Sequence, residues 1–363
     1  MKKLCSVLTA TILCSAIGIA QTQWGKVIDI PFGSGENQLS LRAEQLQQAK
    51  IALGSFPDPR DILIGSDGSF YIPDVNNWRI LVYDKEGRLS GTITVPRKDP
   101  TSVQLGSRSM LVGYRMFLAE DWGGRLYVHM TSMENRLFAL YRFDNDRKHV
   151  FEFPFSDKKP GSGDLVGSIY AGRRGYVYIP SYPAETIRAN WENTVYKYDS
   201  SGHFVAMVDY YFEDKLGNVY KPWMSKVGKR YHWELNKFKS PQTPTATSKT
   251  LGKTGSFSVP TQITDDSTIN VQNFIFCGFD SNMAIYVTDG KVTKVFNQSL
   301  KFVRDIPTRI DDLEKTMGII SEPQNIRVAP DGGIYMFGLK TPHGRQESFC
   351  SPSDAIFVVM KFK

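Results

Sequence analysis

Residues 66–87 constrain the fold most, because in this segment short apolar runs alternate with tight-turn signals. The first turn contains Asp67-Gly68, and the second runs from Asp84 to Gly87. Asp and Gly tolerate the positive φ angles that tight hairpin turns require. The four apolar runs around these turns are residues 62–64, 70–72, 80–83 and 91–95. Four short antiparallel strands in succession make up one blade of a β-propeller.

The same pattern recurs along the chain, and equivalent tyrosines mark it. The separations between these tyrosines are 56, 51, 108 and 49 residues, for Tyr71, Tyr127, Tyr178, Tyr286 and Tyr335. Because the gap of 108 is twice the others, it predicts one degenerate, insertion-rich blade at about residues 209–272. The sequence thus predicts an all-β, six-bladed β-propeller over residues 21–363. An aromatic content of 12%, with 30 Gly and 19 Pro, suits many short strands joined by turns.

The last predicted blade lacks a fourth strand. Residues 26–31, Lys-Val-Ile-Asp-Ile-Pro, resemble residues 302–307, Phe-Val-Arg-Asp-Ile-Pro, which form the end of another blade. We therefore expect the N-terminal strand to complete the last blade and close the ring, which leaves no long exposed sheet edge.

Residues 66–87 resemble an NHL repeat. The match consists of Asp67-Gly68, an apolar strand centred on Tyr71, then Asp74 and Asn77-Trp-Arg-Ile80. It is close over about 22 residues, and elsewhere only the alternation of strand and turn remains. The resemblance implies a β-propeller of the NHL-repeat family. Members of that family are as often partner-binding scaffolds as enzymes, so the resemblance implies little about activity.

The first twenty residues are typical of a signal peptide. Lys2 and Lys3 precede an apolar stretch that is too short to span a bilayer, and Gly18 and Ala20 are the small residues that a signal peptidase recognises. We expect cleavage after Ala20 and a periplasmic or secreted, monomeric protein. The exported chain retains Cys277 and Cys350. We expect no disulfide between them, since Cys277 lies well down an innermost strand and Cys350 belongs to a loop at the strand ends.

The insertions are distributed unevenly between the two faces of the predicted disc. The turns between strands one and two and between strands three and four are short and share one face, here called the turn face. The long connections share the opposite, long-loop face: residues 32–59, 96–115, 156–167, 180–193, 307–323 and 338–354. This pattern predicts binding at the long-loop face, although neutral accumulation of insertions is the alternative. In the first insertion, residues 39–53 have apolar side chains near helical spacing and predict a short amphipathic helix.

Residues 221–253 contain eight basic residues and one acid, and aromatic residues are interspersed among them. This combination suits a polyanion or a glycan, because charge attracts the ligand and rings stack on it. The partner-binding candidates are Trp223, Lys226, Lys229, Arg230 and Trp233. The alternative is a solvated insertion whose aromatic residues are buried in their own blade. Residues 240–250, rich in Pro and Thr, predict a mobile loop.

The sequence favours a binding or scaffold module for a protein or glycan partner, with an anionic one suited to the basic stretch and nucleic acid excluded by export. The alternative is a metal-dependent, lactonase-like hydrolase that would hold a divalent metal in the central channel. Its candidate channel residues are Asp61, Glu120, Gln324 and Asn325. We predict no cofactor for the binding module, because the five histidines and the cysteines show no metal-ligand spacing.

Overall fold

The computed structural model describes residues 23–41, 45, 47–53, 56, 61–97, 114–132, 137–154, 164–166, 169–183, 194–227, 230–264 and 275–363. Three strands precede the first complete blade: β1 (Trp24–Gly33), β2 (Leu39–Ser40) and β3 (Ile51–Ala52). In each blade the strands are called a to d, from the central channel outward.

The first three blades follow one another along the chain. Blade 1 consists of β4 (Leu63–Ile64), β5 (Phe70–Asp74), β6 (Arg79–Tyr83) and β7 (Leu89–Thr94). Blade 2 consists of β8 (Tyr114–Glu120), β9 (Leu126–Ser132), β10 (Leu137–Phe143) and β11 (His149–Glu152). Blade 3 consists of β12 (Asp164–Val166), β13 (Tyr170–Ala171), β14 (Val177–Pro183), β15 (Thr194–Tyr198) and β16 (Phe204–Val208), where β12 and β13 both pair with β14.

The remaining blades complete the ring. Blade 4 consists of β17 (Phe212–Glu213), β18 (Val219–Val227), β19 (Arg230–Phe238) and β20 (Lys253–Thr264). Blade 5 consists of β21 (Ile275–Phe279), β22 (Ile285–Thr288), β23 (Thr293–Phe296) and β24 (Phe302–Ile306). The last segments are α1 (Asp311–Met317), β25 (Ile319–Ile320), β26 (Ile326–Val328), β27 (Ile334–Lys340), β28 (Phe349–Cys350) and β29 (Ile356–Phe362).

The N-terminal strand closes the ring as predicted. In blade 6, β26, β27 and β29 come from the C-terminal end of the chain, and β1 pairs antiparallel with β29 as the outer strand. Ile30 lies opposite Phe357 in this register, and both side chains are buried. The chain is therefore a six-bladed, all-β propeller whose first and last strands are held together by one ladder of backbone hydrogen bonds.

The core lies between neighbouring blades. One hydrophobic cluster joins Tyr71 and Ile80 of blade 1 to Met116 and Val128 of blade 2, and the other clusters join blades in the same way. Each sheet alternates its side chains between two faces, and both faces are covered by a neighbour. The apolar character of the middle strands follows from this arrangement.

Blade 4 contains the sixth equivalent tyrosine, Tyr220, which the spacing argument did not identify. Its turn, Asp214-Lys-Leu-Gly-Asn-Val-Tyr220, has the same length as Asp121-Trp-Gly-Gly-Arg-Leu-Tyr127. Tyr220 lies 42 residues after Tyr178 and 66 before Tyr286, because the insertions in this region are unequal. The doubled gap was thus a correct signal of a further blade.

The helix predicted over residues 39–53 does not extend across that whole range, although Gln45 within it is helical. Leu39 and Ser40 lie parallel to Phe32 and Gly33, while β3 pairs antiparallel with β28. Residues 42–44 and 46 lie outside the described residues. The two ends of the range form short strand pairings instead, because sheet partners from distant segments satisfy their backbone. The longer helix α1 lies in a different long connection.

The connection between β19 and β20, residues 239–252, joins strands c and d, so a long connection starts on the turn face as well. It contains the 3-10 helix Ser248–Thr250, and the mobility of residues 240–250 stays a prediction. The Ser248 amide donates a hydrogen bond of 2.7 Å to Asp209, and the ammonium of Lys197 donates one of 3.3 Å to the Pro244 carbonyl. Polar groups of blade 3 and of the segment leading to β17 therefore compensate for the lack of apolar residues.

Candidate functional site

A cavity of about 510 Å³ occupies the central channel. Its wall is formed by the innermost strands of all six blades and reaches the turns on the turn face. Three of the predicted channel residues, Asp61, Glu120 and Gln324, line it. The fourth, Asn325, is buried at the end of the 3-10 helix Pro323–Asn325, just before β26.

The aspartates at the a–b turns hold those turns together. The Asp121 carboxylate accepts bonds from the amides of Gly123 and Arg125, at 2.8 and 3.1 Å, and from the hydroxyl of Tyr127 at 3.1 Å. Asp214 and Asp280 use the same pattern with their own turns and with Tyr220 and Tyr286. These bonds account for aspartate at each of these positions by local turn geometry.

Three blades lack the turn aspartate and have Gly65, Gly172 or Ala329 in its place. In blades 1 and 3, a glutamate from the next blade substitutes for it. Blade 1 has Gly65 at this position, where Glu120 of blade 2 accepts a 2.6 Å bond from the Ser66 amide. Blade 3 has Gly172, and a Cβ atom there would lie 2.4 Å from Oε2 of Glu213 of blade 4. Glycine at these turns therefore leaves room for a carboxylate from the neighbouring blade.

Asp61 and Glu120, two carboxylates of the channel wall, are each paired with an arginine. Both Arg327 Nε and Nη2 donate to Asp61 Oδ1, the former at 3.1 Å, and the Leu118 amide donates to Asp61 Oδ2 at 3.4 Å. Arg147 donates to Glu120 at 2.7 Å and to the Tyr71 hydroxyl at 3.0 Å. These bonds tie blades 6, 1 and 2 together.

The channel carboxylates are the possible ligands for a divalent metal. A hard divalent cation such as Ca²⁺ takes about six to eight oxygen ligands, whereas guanidinium groups already pair with the carboxylates of Asp61 and Glu120. Across the ranges described above, no group of three or more His, Cys, Asp or Glu side chains is placed to hold a metal ion. The described channel residues therefore do not fit the metal centre that the hydrolase alternative requires.

Glu213 is the channel carboxylate that differs from these, and the sequence analysis did not select it. It accepts a 2.6 Å hydrogen bond from the Tyr178 hydroxyl. Burial raises the pKa of Glu213 to about 7, and the Tyr178 bond and the Lys197 charge oppose this effect only in part. The available sequence signal was Gly172, the glycine that replaces a turn aspartate one blade earlier.

Lys197 lies behind Glu213 in an aromatic enclosure. Its side chain is 2% exposed, and its ammonium lies 4.0 Å from the Tyr176 ring centroid and 5.6 Å from that of Tyr178. Burial lowers the pKa of Lys197 to about 8. Glu213 of blade 4 and Lys197 of blade 3 are thus two titratable groups at one blade boundary, and the pKa of each is shifted towards 7.

Trp122 lies at the mouth of the channel on the turn face. Its indole N–H donates a 3.1 Å hydrogen bond to the backbone carbonyl of Glu213, so it reaches from blade 2 to blade 4. Its ring centroid lies 6.5 Å from that of Phe279 in blade 5, and the residue is 38% exposed. This tryptophan narrows the opening of the cavity.

The predicted partner-binding residues lie on the β18–β19 hairpin. These strands are nine residues long, and the equivalent strands of the other blades have four to seven. Trp223 is half-buried beneath the ammonium of Lys221, 5.3 Å from its ring centroid. Trp233 is only 8% exposed and packs against Phe257, so its ring belongs to the core of the blade. Lys226 and Arg230 are strand residues near the hairpin end, and Lys229 lies outside the described residues.

The polar residues of the NHL-like segment anchor the first insertion. Asp74 accepts bonds from Arg79 Nε at 2.6 Å and from the amide and hydroxyl of Ser40, both at 3.0 Å. Arg79 also donates to the Gln38 carbonyl at 2.9 Å. These residues have a structural role in holding β2 against blade 1 on the long-loop face.

No helix in the described ranges is both long and apolar enough to cross a membrane.

No family model matches the chain, and no curated protein matches its sequence. Solved structures with a similar fold include virginiamycin B lyase from Staphylococcus aureus (12% identity, TM-score 0.36, covering 82% of this chain and 78% of that one). A gluconolactonase from Xanthomonas campestris has 13% identity and a TM-score of 0.39 and covers 81% and 82% of the two chains. A luciferin-regenerating enzyme has 11% identity and a TM-score of 0.41 and covers 86% and 95%. These are distant similarities, and the strand pairing of the chain itself identifies it as a six-bladed β-propeller.

Proposed function

We propose that the protein is an exported binding module, and that its partner, an anionic glycan or a protein with an acidic surface, contacts the long-loop face at the β18–β19 hairpin. The observation that carries this proposal is the length of that hairpin. The innermost strand of blade 4 pairs with β18 only at Val219 and Tyr220, whereas the pairing of β18 with β19 continues to Val227 and Arg230. The hairpin thus extends beyond the level of its own innermost strand.

The charge of this hairpin supports an anionic partner. Lys226 and Arg230 belong to the last residue pairs of the hairpin, where Lys226 lies opposite Tyr231 and Arg230 opposite Val227. Lys229 precedes Arg230 in the sequence. A hairpin whose backbone is already paired lowers the entropy cost of ordering a binding segment when a partner binds. Trp223 remains a contact candidate, whereas we expect substitution of Trp233 to act through the packing of the blade.

Heparin, a sulfated polysaccharide, is a suitable first probe. The triple variant Lys226→Ala/Lys229→Ala/Arg230→Ala should leave a heparin column at a lower salt concentration than wild type. The matched control removes three exposed lysines from the turn face, with Lys85→Ala/Lys148→Ala/Lys215→Ala. Because both variants lose three positive charges, a general charge effect would shift them equally.

An equal shift of the two variants would contradict the proposed face. If wild type does not bind heparin, the same pair of variants should be compared in pull-downs from the envelope fraction. A partner retained by the control variant and lost by the hairpin variant would identify a protein partner. Loss in both variants, or in neither, would exclude the hairpin.

A further inference from the structure

One side of the central cavity is aromatic. Tyr170 of blade 3, Phe212 of blade 4, and Phe276 and Phe279 of blade 5 follow one another around the channel. Their ring centroids are separated by 4.6 Å for Tyr170 and Phe212, 4.0 Å for Phe212 and Phe276, and 5.0 Å for Phe276 and Phe279. The facing wall, from blades 1 and 2, has no such ring stack among its described residues: it combines the aliphatic Ile62, Ile64 and Leu118 with the arginine-paired carboxylates described above. The faces and edges of four rings therefore border one half of the cavity.

Trp122 continues this aromatic wall to the surface. Its contact with Phe279 and its hydrogen bond to the Glu213 carbonyl hold the indole across the opening. A ligand that enters from the turn face must pass this ring.

The carboxylate beside the aromatic wall has basic groups near it but no salt bridge, since the charges of Lys197 and Arg173 act on Glu213 from a distance. Glu213 accepts its hydrogen bond from Tyr178, and among the described residues no lysine or arginine makes a salt bridge with it. By contrast, Asp61 and Glu120 are each bound by an arginine. The aromatic half of the cavity thus contains an acid that makes no direct ion pair of its own.

We propose that the turn-face half of the channel is a second binding site, which takes a small organic cation with an apolar body, such as an arylalkylammonium ion. The cavity volume of about 510 Å³ falls within the range of about 300–1,000 Å³ typical of small-molecule sites. The ammonium group would lie beside Glu213, and the apolar body would pack among Phe212, Phe276 and Trp122. Cation–π attraction to these rings would favour the ammonium group over a neutral group of the same size.

The site should respond to pH near neutrality. Burial raises the pKa of Glu213 to about 7, so the empty site is only partly charged at that pH. A bound cation favours the ionised carboxylate, and binding should therefore tighten as the pH rises through 7. The charged and titratable groups that act on Glu213 are Tyr178, Lys197, Tyr210, Asp214 and Arg173. Lys215, two residues further along the chain, also lines the cavity. Among these groups, Lys197 has a pKa close to the pH range of interest, because burial lowers it to about 8.

The probes are three molecules of similar size and different charge: 2-phenylethylammonium, 2-phenylethanol and phenylacetate. Titration calorimetry and saturation-transfer NMR on the full mature chain should show binding of the ammonium, weaker binding of the alcohol and exclusion of the anion. Between about pH 6 and pH 7.8, the affinity for the ammonium should increase, while that for the alcohol should stay constant.

Two variants test the residues. Trp122→Ala should weaken binding of the ammonium about tenfold, and Glu213→Gln should remove the preference for the ammonium over the alcohol together with its pH dependence. The control is Leu216→Ala, an exposed residue (54%) on the same face that does not line the cavity. Thermal melts establish that each variant is folded.

Equal affinity for the three probes, or no binding at millimolar concentration, would overturn the proposal. Binding that is unchanged in both Trp122→Ala and Glu213→Gln would do the same. This test of the channel site is independent of the proposed hairpin site, since neither Trp122→Ala nor Glu213→Gln should alter retention on heparin.

Discussion

The hydroxyl of Tyr178 donates a 2.6 Å hydrogen bond to the carboxylate of Glu213 across the boundary between blades 3 and 4. In the blades with a turn aspartate, the equivalent tyrosine bonds to the aspartate six residues before it, as Tyr127 does to Asp121. Glu213 thus replaces a bond within one turn by a bond between two blades. The buried position of its carboxylate has consequences for stability.

We predict that stability decreases between about pH 5 and pH 8 because of Glu213. Its pKa is raised by burial from 4.5 to about 7, so the folded protein holds this proton more tightly than the unfolded chain. The corresponding free energy of unfolding is fully present below pH 4.5 and is lost as the pH rises through 7. At 1.36 kcal/mol per pKa unit, the loss is at most about 3 kcal/mol.

Urea unfolding across this pH range checks the prediction, with Glu213→Gln as the comparison. The glutamine carbonyl can still accept the Tyr178 bond and does not titrate, so the variant should lose most of the slope. The measurements should stop near pH 8, because burial lowers the pKa of Lys197 to about 8 and its stabilising effect appears above that pH. Parallel slopes for wild type and variant would show that other groups cause the pH dependence.

Asp280→Ala should destabilise the protein by roughly 3 kcal/mol. The Asp280 carboxylate accepts bonds from the amides of Asn282 and Ala284 and from the Tyr286 hydroxyl, and each is worth about 1 kcal/mol. The control is Asp67→Ala in the turn of blade 1, where one exposed hydrogen bond is lost. Chemical denaturation gives both values, and a similar cost for the two variants would contradict the assigned role of the turn aspartates.

Closure of the ring by β1 should make its buried residues as important as any in the core. Ile30 is 0% exposed and lies opposite Phe357, so Ile30→Ala should cost about 2–5 kcal/mol. Lys26→Ala on the same strand removes only an exposed ion pair with Asp29 and should cost less than about 1 kcal/mol. If thermal melts show equal stability for the two variants, the N-terminal strand is not required to close the propeller.

Cys277 and Cys350 should both resist alkylation in the folded mature protein and react fully in urea. Cys277 packs against blade 6 and Cys350 against the first insertion, and both are buried free thiols. Burial raises the pKa of Cys277 to about 12, so its reactive thiolate is scarce at pH 8. Mass spectrometry should find two labels after denaturation without reductant. Two unlabelled cysteines in that sample would indicate a disulfide instead.

The pattern of turns and strands in the sequence was sufficient to predict the six-bladed propeller and its closure. Tyr71 and its equivalents mark positions that every blade must fill in the same way, so their spacing reports the repeat directly. Tyr220 was not identified because unequal insertions change its spacing from the neighbouring tyrosines. Its turn nevertheless has the same length and the same aspartate and glycine as the turn before Tyr127. Where local pattern and tertiary pairing disagree, as at Leu39 and Ile51, the strand pairings prevail.

For the channel residues, the local sequence pattern was not sufficient to predict their partners. Asp61 and Glu120 were identified as acids near innermost strands, but their arginine partners, Arg327 and Arg147, are distant in sequence. Glu213 was not identified at all, because its environment depends on Gly172 and Tyr178 of the preceding blade.

The sequence by itself determined the repeat, the number of blades and the faces of the turns and most insertions, because these depend on residues close together in the chain. Only the tertiary structure decided which carboxylates are paired and which ring narrows the channel mouth. Trp122 and Glu213 are 91 residues apart, and the closed ring of blades brings them together. Burial, and with it the pKa of Glu213, is a property of that ring and not of any segment within it.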